Sequence, residues 1–314
     1  MKKRKLKNKM KNLITSLIIF TILLITGYFG IGYLEEEAQV TSSNKIENIE
    51  NINFEDGKLN IMFFYVGQAD STFIKINDCT MLIDAGNNED GENIANFLKE
   101  KKIEKINYLI GTHADEDHIG GLDDILNSLN VEKLYITTVG SEGKDYQNAI
   151  NAAKDKNIEI IHPVRGDEIL LDDVRCEIMS AVEGENVTDN NSSIVIEMSY
   201  NKTKYLFMGD AEKEVENSRS WNKVDILKVG HHGSNSSSSS TFLKQVNPSY
   251  SIIEVGKNNS YNLPSDKTIS RLESIKTNIL RTDKLINNEP GSLLVTSDGN
   301  SINIEKVNIN LDGN

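Results

Sequence analysis

Apolar residues fall along this chain in three regimes. From Leu13 to Leu34 they run for 22 residues without a charge, between a segment, 1–12, carrying seven positive charges and the triplet Glu35-Glu36-Glu37. As a helix that run spans about 33 Å, enough to cross a bilayer core. Tyr28, Phe29 and Tyr33 lie near its outer end, placed for the headgroup belt. The pattern predicts a transmembrane signal anchor over 13–34 with residues 1–12 kept cytoplasmic, the alternative being a cleavable signal peptide. Residues 35–57, rich in Asn, Glu, Ser and Ile, have no core pattern and read as a linker. From 58 to 314 short apolar runs alternate with helical periodicities, which predicts one large extracytoplasmic domain.

Within that domain, residues 59–66 are apolar without alternation, as a strand buried on both faces would be. Strands follow over 71–76 and 80–83, then a helix over 92–101 that turns Ile94, Ala95, Phe97 and Leu98 inward. A strand over 106–110 leads into a polar loop and the helical pattern Leu122, Ile125, Leu126, Leu129. A strand over 133–137, a helix over 146–156 and strands near 158–161 and 174–179 complete this half. The second half repeats the style, with strands over 194–199, 204–208, 224–229 and 250–255 and helices over 211–217, 242–246 and 267–275. Short strands near 293–296 and 302–304 close the chain. Such alternation predicts an α/β fold of two mixed sheets packed face to face and covered by helices. The serine run from Ser236 to Ser240 reads as a mobile loop.

Four of the five histidines stand in two short motifs. His113, Asp115, Asp117 and His118 fall within six residues between a strand end and a helix start, where a scaffold presents ligands. His231 and His232 form the second motif, and Asp210 follows a strand between the two. Imidazole and carboxylate at these spacings suit Zn, Mn or Fe. Two such ions about 3.5–4 Å apart hold a bridging hydroxide and clamp a phosphoryl or ester oxygen, so the inventory predicts a two-metal hydrolase.

Charge narrows the partners. The chain carries −13, and with the seven positive charges of residues 1–12 set aside the remainder carries −20. A domain that acidic counts against a broad nucleic-acid-binding surface, though not against one phosphodiester held at metals. Cys79 and Cys176 lack neighbouring ligands and read as two small thiols in strands, an exported disulfide being the alternative.

Taken in order, the motifs resemble a known family. Val66-Gly67-Gln68-Ala69-Asp70, Asp84-Ala85-Gly86, Thr112 to Gly121, Asn190-Asn191-Ser192-Ser193, Gly209-Asp210 and His231-His232-Gly233-Ser234 are similar to the hydrolase domain of ComEC-type competence proteins and their free-standing relatives. That branch belongs to the metallo-β-lactamase fold, an αββα sandwich with metals at one edge. The resemblance covers the chain from about Leu59 onward. It implies that His113 and Asp115 bind a first metal, that Asp117, His118 and His231 bind a second, and that Asp210 bridges them. It further implies that Asp84 orients ligands and that His232 hydrogen-bonds beside the metals, an exchange of His231 and His232 being the alternative. Asn191 or Ser192 stands about where the wider fold has a third histidine. His162 matches no motif. Leu263 departs from the family, which commonly has histidine there.

These readings predict a membrane-anchored, extracytoplasmic, metal-dependent phosphodiesterase with two divalent ions, Zn or Mn. Its substrate would be a nucleic acid or a cell-wall polymer ester, since the aspartate at 115 disfavours a β-lactam. The alternative is a catalytically weakened metal-binding domain that binds a cell-surface partner.

Overall fold

The computed structural model describes residues 38–48, 52–181 and 187–313. In order these form β1 (Gln39–Asn48), β2 (Leu59–Phe63), β3 (Thr72–Ile76), β4 (Cys79–Ile83), α1 (Gly91–Glu100) and β5 (Lys105–Gly111). The one-turn α2 (Glu116–Ile119), α3 (Leu122–Ser128), β6 (Asn130–Ile136), α4 (Lys144–Asp155) and β7 (Glu159–Ile161) follow. The second half runs β8 (Glu168–Leu171), β9 (Val174–Ser180), β10 (Val195–Tyr200), β11 (Thr203–Phe207), α5 (Lys213–Asn217) and β12 (Ile226–Lys228). It continues through α6 (Ser240–Val246), β13 (Tyr250–Ile253), α7 (Asp266–Ser274) and β14 (Asn278–Arg281). β15 (Ser292–Ser297) and β16 (Ser301–Asn308) end the chain.

Two sheets result. A nine-stranded sheet has the order β1-β16-β15-β2-β3-β4-β5-β6-β7, and a seven-stranded sheet has the order β14-β13-β12-β11-β10-β9-β8. β4 to β7 are parallel, as are β11 to β14. Parallel neighbours need a crossover long enough to hold a helix, which is what α1, α3, α4, α6 and α7 supply.

The chain's apolar residues sort into three layers. Ile61, Phe63, Ile74 and Met81 pack between the sheets against Ile178, Ile196, Tyr205 and Phe207. Met62, Phe64, Phe73 and Leu82 point the other way, onto Ile94, Phe97, Leu98 and Leu122. Val195, Leu206, Leu227 and Ile253 face Trp221, Phe242, Leu243 and Leu272. A strand such as β2 is therefore covered on both faces, the reason its sequence does not alternate. Each large side chain buried this way contributes about 1.5–3 kcal/mol. The expected αββα sandwich is what forms.

Three expectations change. Residues 39–48, placed in the linker by composition, form a strand that pairs in parallel with β16. Its ladder bonds come from backbone, which the hydrophobic pattern does not report. β8 and β14 also escape the hydrophobic pattern, being four residues long and lying at edges of the second sheet. The serine run is pinned rather than mobile. Ser237 and Ser238 are buried, the Ser238 and Ser239 amides donate to the Glu216 carboxylate, and Ser237 Oγ donates to the Gly230 carbonyl at 2.7 Å. Residues 1–34 and their expected anchor lie outside the described residues. Among the described residues no helix is long and apolar enough to cross a membrane.

Candidate metal centre

The chemistry-bearing residues sit just past the carboxyl ends of parallel strands, where open α/β sheets present their ligands. Asp84 follows β4, Thr112 and His113 follow β5, and Asp117 and His118 lie on α2. Asp210 follows β11, His231 and His232 follow β12, and Glu254 follows β13. The α2–α3 junction reaches this edge because Gly120 and Gly121 admit close packing. A Cβ on Gly121 would strike the Ala85 carbonyl and lie 2.6 Å from Gly91 Cα, and one on Gly120 would lie 2.5 Å from the Asn88 nitrogen.

Three groups of potential ligand atoms converge on His118: His113, His118 and Asp210; Asp117, His118 and His232; and, behind the ring, Asp70, Asp84 and His118, each with its atoms within 4.8 Å of one another. His118 Nε2 lies 3.2 Å from Asp210 Oδ1, and His232 Nε2 lies 3.2 Å from Asp117 Oδ2 and 3.7 Å from Asp210 Oδ2. His113 Nε2 is 3.4 Å from Asp115 Oδ2, whose side chain is nearly half exposed. His113 Nε2, His118 Nε2 and Asp210 Oδ1 are buried without a hydrogen-bond partner. Buried polar atoms are almost always satisfied, so three orphans aimed at one space fit a divalent cation and its N/O donor set.

The atoms behind the rings agree. Asp84 Oδ2 accepts from His118 Nδ1 at 2.8 Å, and the Glu254 carbonyl accepts from His232 Nδ1 at 3.0 Å. His113 Nδ1 donates to Thr112 Oγ1 at 3.1 Å, and that hydroxyl donates to Asp84 Oδ2 at 2.8 Å. These partners call for a proton on Nδ1 and turn each Nε2 forward, so that loss of the Nε2 proton would leave the lone pair a ligand needs. Asp210 is held by its own amide, which donates to Ser193 Oγ at 3.0 Å.

Electrostatics keep the carboxylates ionised. Burial pushes Asp117 up, but the His232 hydrogen bond and the His118 and His232 charges prevail and hold it at about 2. Burial opposes ionisation of Asp210 as well, and the charges of His118 and His232 take it well below the usual range. Burial lowers His118, yet Asp210 and Asp84 outweigh it and raise that imidazole well above its ordinary value. The site therefore attracts positive charge of some kind.

Of the two adjacent histidines, the structure brings His232 and not His231 into the converging group. His232 is buried with Nε2 in the cluster, whereas His231 is a quarter exposed, with Nε2 3.7 Å from Asp210 Oδ2 and Nδ1 3.3 Å from Glu212 Oε1. Both have left-handed backbone, φ +50° and +47°, a conformation costing roughly 1–2 kcal/mol for such residues. That backbone and the Glu254 carbonyl together decide which ring turns inward. Asn191 and Ser192 are spent locally: Asn191 Oδ1 accepts from the Glu212 amide at 3.0 Å, and Ser192 Oγ donates to the Asp189 carbonyl at 2.6 Å. Neither fills the place of a third histidine. Leu263 packs against the apolar layer under α6 and α7. His162 is exposed and bonds the Ile136 carbonyl, and both cysteines are free thiols. Lys228, Asp70 and Glu254, for which the sequence alone suggests no role, are buried directly behind this cluster.

Residues 64–256 match the metallo-beta-lactamase superfamily. The chain belongs to that superfamily. It is 37% identical over 193 residues to ComE operon protein 3 of Bacillus subtilis (strain 168), covering 60% of this chain and 25% of that protein. It is 30% identical over 224 residues to Recombination protein 2 of Haemophilus influenzae, covering 69% of this chain and 27% of that one. The chain thus spans about a quarter of the length of these curated relatives. The resemblance to ComEC-type competence proteins is borne out. Among solved structures, CmlA, a diiron beta-hydroxylase from Streptomyces venezuelae, shares the fold with TM-score 0.51 at 11% identity, over 73% of this chain and 53% of that one.

Proposed function

We propose that this metallo-β-lactamase superfamily member is a metal-dependent phosphodiesterase, anchored in the cell membrane by residues 13–34 with its hydrolase domain outside. The observation that carries the reading is the convergence of the three buried, unpartnered atoms His113 Nε2, His118 Nε2 and Asp210 Oδ1 on one space. In this reading His113, Asp115 and Asp210 hold one divalent ion, Zn or Mn, and Asp117, His118, His232 and Asp210 hold a second. Ions bound there would acidify a water and polarise a phosphoryl oxygen. Three carboxylates would balance most of the charge on two such ions, and the hard oxygen of Asp115 favours Mn over an all-imidazole site.

Around the ions, Asp84 and the Glu254 carbonyl keep two imidazoles in line. The partly exposed Asp115, Asp117 and His231 line the mouth through which an ester would enter. A nucleic-acid strand is the favoured substrate, on the strength of the competence and recombination proteins that the chain resembles. The −20 charge outside residues 1–12 means that such a strand would be gripped at the centre and not along a basic groove. A cell-wall polymer ester suits the same chemistry. Leu263, partly buried where a relative's histidine would stand, motivates the second reading, a metal-bearing domain that binds a surface partner without turnover.

The test takes the full-length protein and measures metal content beside hydrolysis of bis-p-nitrophenyl phosphate and single-stranded DNA under added Mn²⁺ or Zn²⁺. Two metals per chain, with turnover lost in Asp117→Ala, supports the phosphodiesterase. Metal without turnover of either ester favours the partner-binding reading. No bound metal overturns both.

A further inference from the structure

Behind the metal-facing imidazoles lies a charged cluster that the proposed function leaves without a task. Lys228 ends β12 as its lone charged residue and is 3% exposed. A buried ammonium is costly unless it is paired. Its Nζ donates to Asp70 Oδ2 and stands 3.5 Å from the Gly209 carbonyl, next to Asp210. Asp70 is 2% exposed, and its amide donates to the Asp117 carbonyl at 3.0 Å. Lys228, Asp70, Thr72, Asp84, Gly209 and Glu254 line a small pocket. The ammonium thus ties a strand of the second sheet to a turn of the first, beneath the rings.

Asp70 stands within reach of both rings. Its Oδ1 lies 3.2 Å from His232 Nδ1, and its Oδ2 lies 3.8 Å from His118 Nδ1. Those nitrogens are already committed to the Glu254 carbonyl at 3.0 Å and to Asp84 at 2.8 Å. Asp70 Oδ1 has no hydrogen-bond partner of its own. A buried carboxylate so placed, if freed, would compete for an imidazole N–H and rotate the ring to reach it.

We infer that Lys228 is a positioning residue of the metal centre, its ammonium holding Asp70 so that His118 and His232 keep the acceptors that aim Nε2 at the cation. The inference rests on the metal-centre reading above. A plain counter-charge would have the opposite effect, since removing a positive group near a cation site tightens cation binding.

The experiment measures Mn²⁺ affinity of the full-length protein by calorimetric titration, with the metal alone. Lys228→Met keeps most of the side-chain volume and frees Asp70, so affinity should fall about tenfold or more, the scale of outer-layer changes. Lys228→Met/Asp70→Asn removes the competing carboxylate as well, and most of that loss should be recovered. Loss in the single variant with recovery in the double supports the inference. Unchanged or tighter binding in the single variant, or equal loss in both, overturns it. Should the single variant fail to fold, the double decides: affinity near that of the unaltered protein supports the inference, and a tenfold loss overturns it. Absence of Mn²⁺ binding by the unaltered protein overturns the metal-centre reading and this inference with it.

Discussion

Replacing Asp84 by asparagine keeps the side chain's shape and removes one acceptor. The backbone at 84 has φ +59°, which asparagine tolerates and alanine does not, so the perturbation stays in the side chain. Asp84 uses Oδ1 for the Thr112 amide at 2.8 Å and Oδ2 for Thr112 Oγ1 and His118 Nδ1, both at 2.8 Å. An amide has one acceptor oxygen, so either the Thr112 N–H or the His118 N–H must face the NH₂ group. A buried donor left facing a donor costs about 1–3 kcal/mol of stability. If the amide oxygen turns to the backbone, the His118 ring loses its orienting partner, and metal affinity should drop about 10–100-fold. Chelator competition gives the affinity, and urea denaturation of the metal-free protein gives the stability. An Asp84→Asn protein with unaltered metal affinity and stability would refute the claim that this carboxylate sets the His118 ring.

Three further outcomes follow from the same geometry. His232→Ala should lower metal affinity by more than the 10–100-fold of an outer-layer change, and His231→Ala by less than tenfold; calorimetric titration ranks them, and the reverse order would return the ligand role to His231. Burial pushes the Glu254 carboxyl from 4.5 up to about 7, against the Lys228 charge and donation from Ser71 and Thr72. An acid raised on folding stabilises the fold while protonated, so this contribution is complete below about pH 4.5 and is lost as pH rises towards 7, on the order of 3 kcal/mol. Glu254→Gln mimics the protonated form, and its denaturation midpoint should gain on the unaltered protein's across that interval; parallel pH profiles would contradict the assignment. Cys176 is fully buried and its thiol is pushed up to about 12, so Ellman's reagent at pH 8 should label the half-buried Cys79 long before Cys176. Equal labelling rates in the native protein would contradict the packing.

The layered fold was legible because its evidence is local. Residues 59–66 and 106–110 advertise strands covered on both faces, and Leu122, Ile125 and Leu126 advertise a helix on top of them. The loop from His113 to His118 was legible for the same reason, with four donors in six residues. What the sequence concealed depends on contacts made far along the chain. Which of His231 and His232 turns inward is decided by left-handed backbone and by a carbonyl 22 positions on, at Glu254. Lys228 did leave a trace, a charge inside the apolar run from Ile226 to Val229, but its partner Asp70 lies 158 positions away. β1 left none, because a polar edge strand is held through its backbone.

The candidate ligands are contributed by both halves of the sandwich: His113, Asp117 and His118 by one sheet's loops, Asp210 and His232 by the other's. Strand pairing has a period of two, so a slip of one residue in either sheet would turn every side chain of that strand to its opposite face. If the cluster holds a metal, uptake would serve as a check on the protein's own assembly. A molecule whose halves have docked wrongly carries every donor in its sequence and still fails to chelate. In a purified preparation, the fraction of chains that retain an ion would count the correctly assembled molecules.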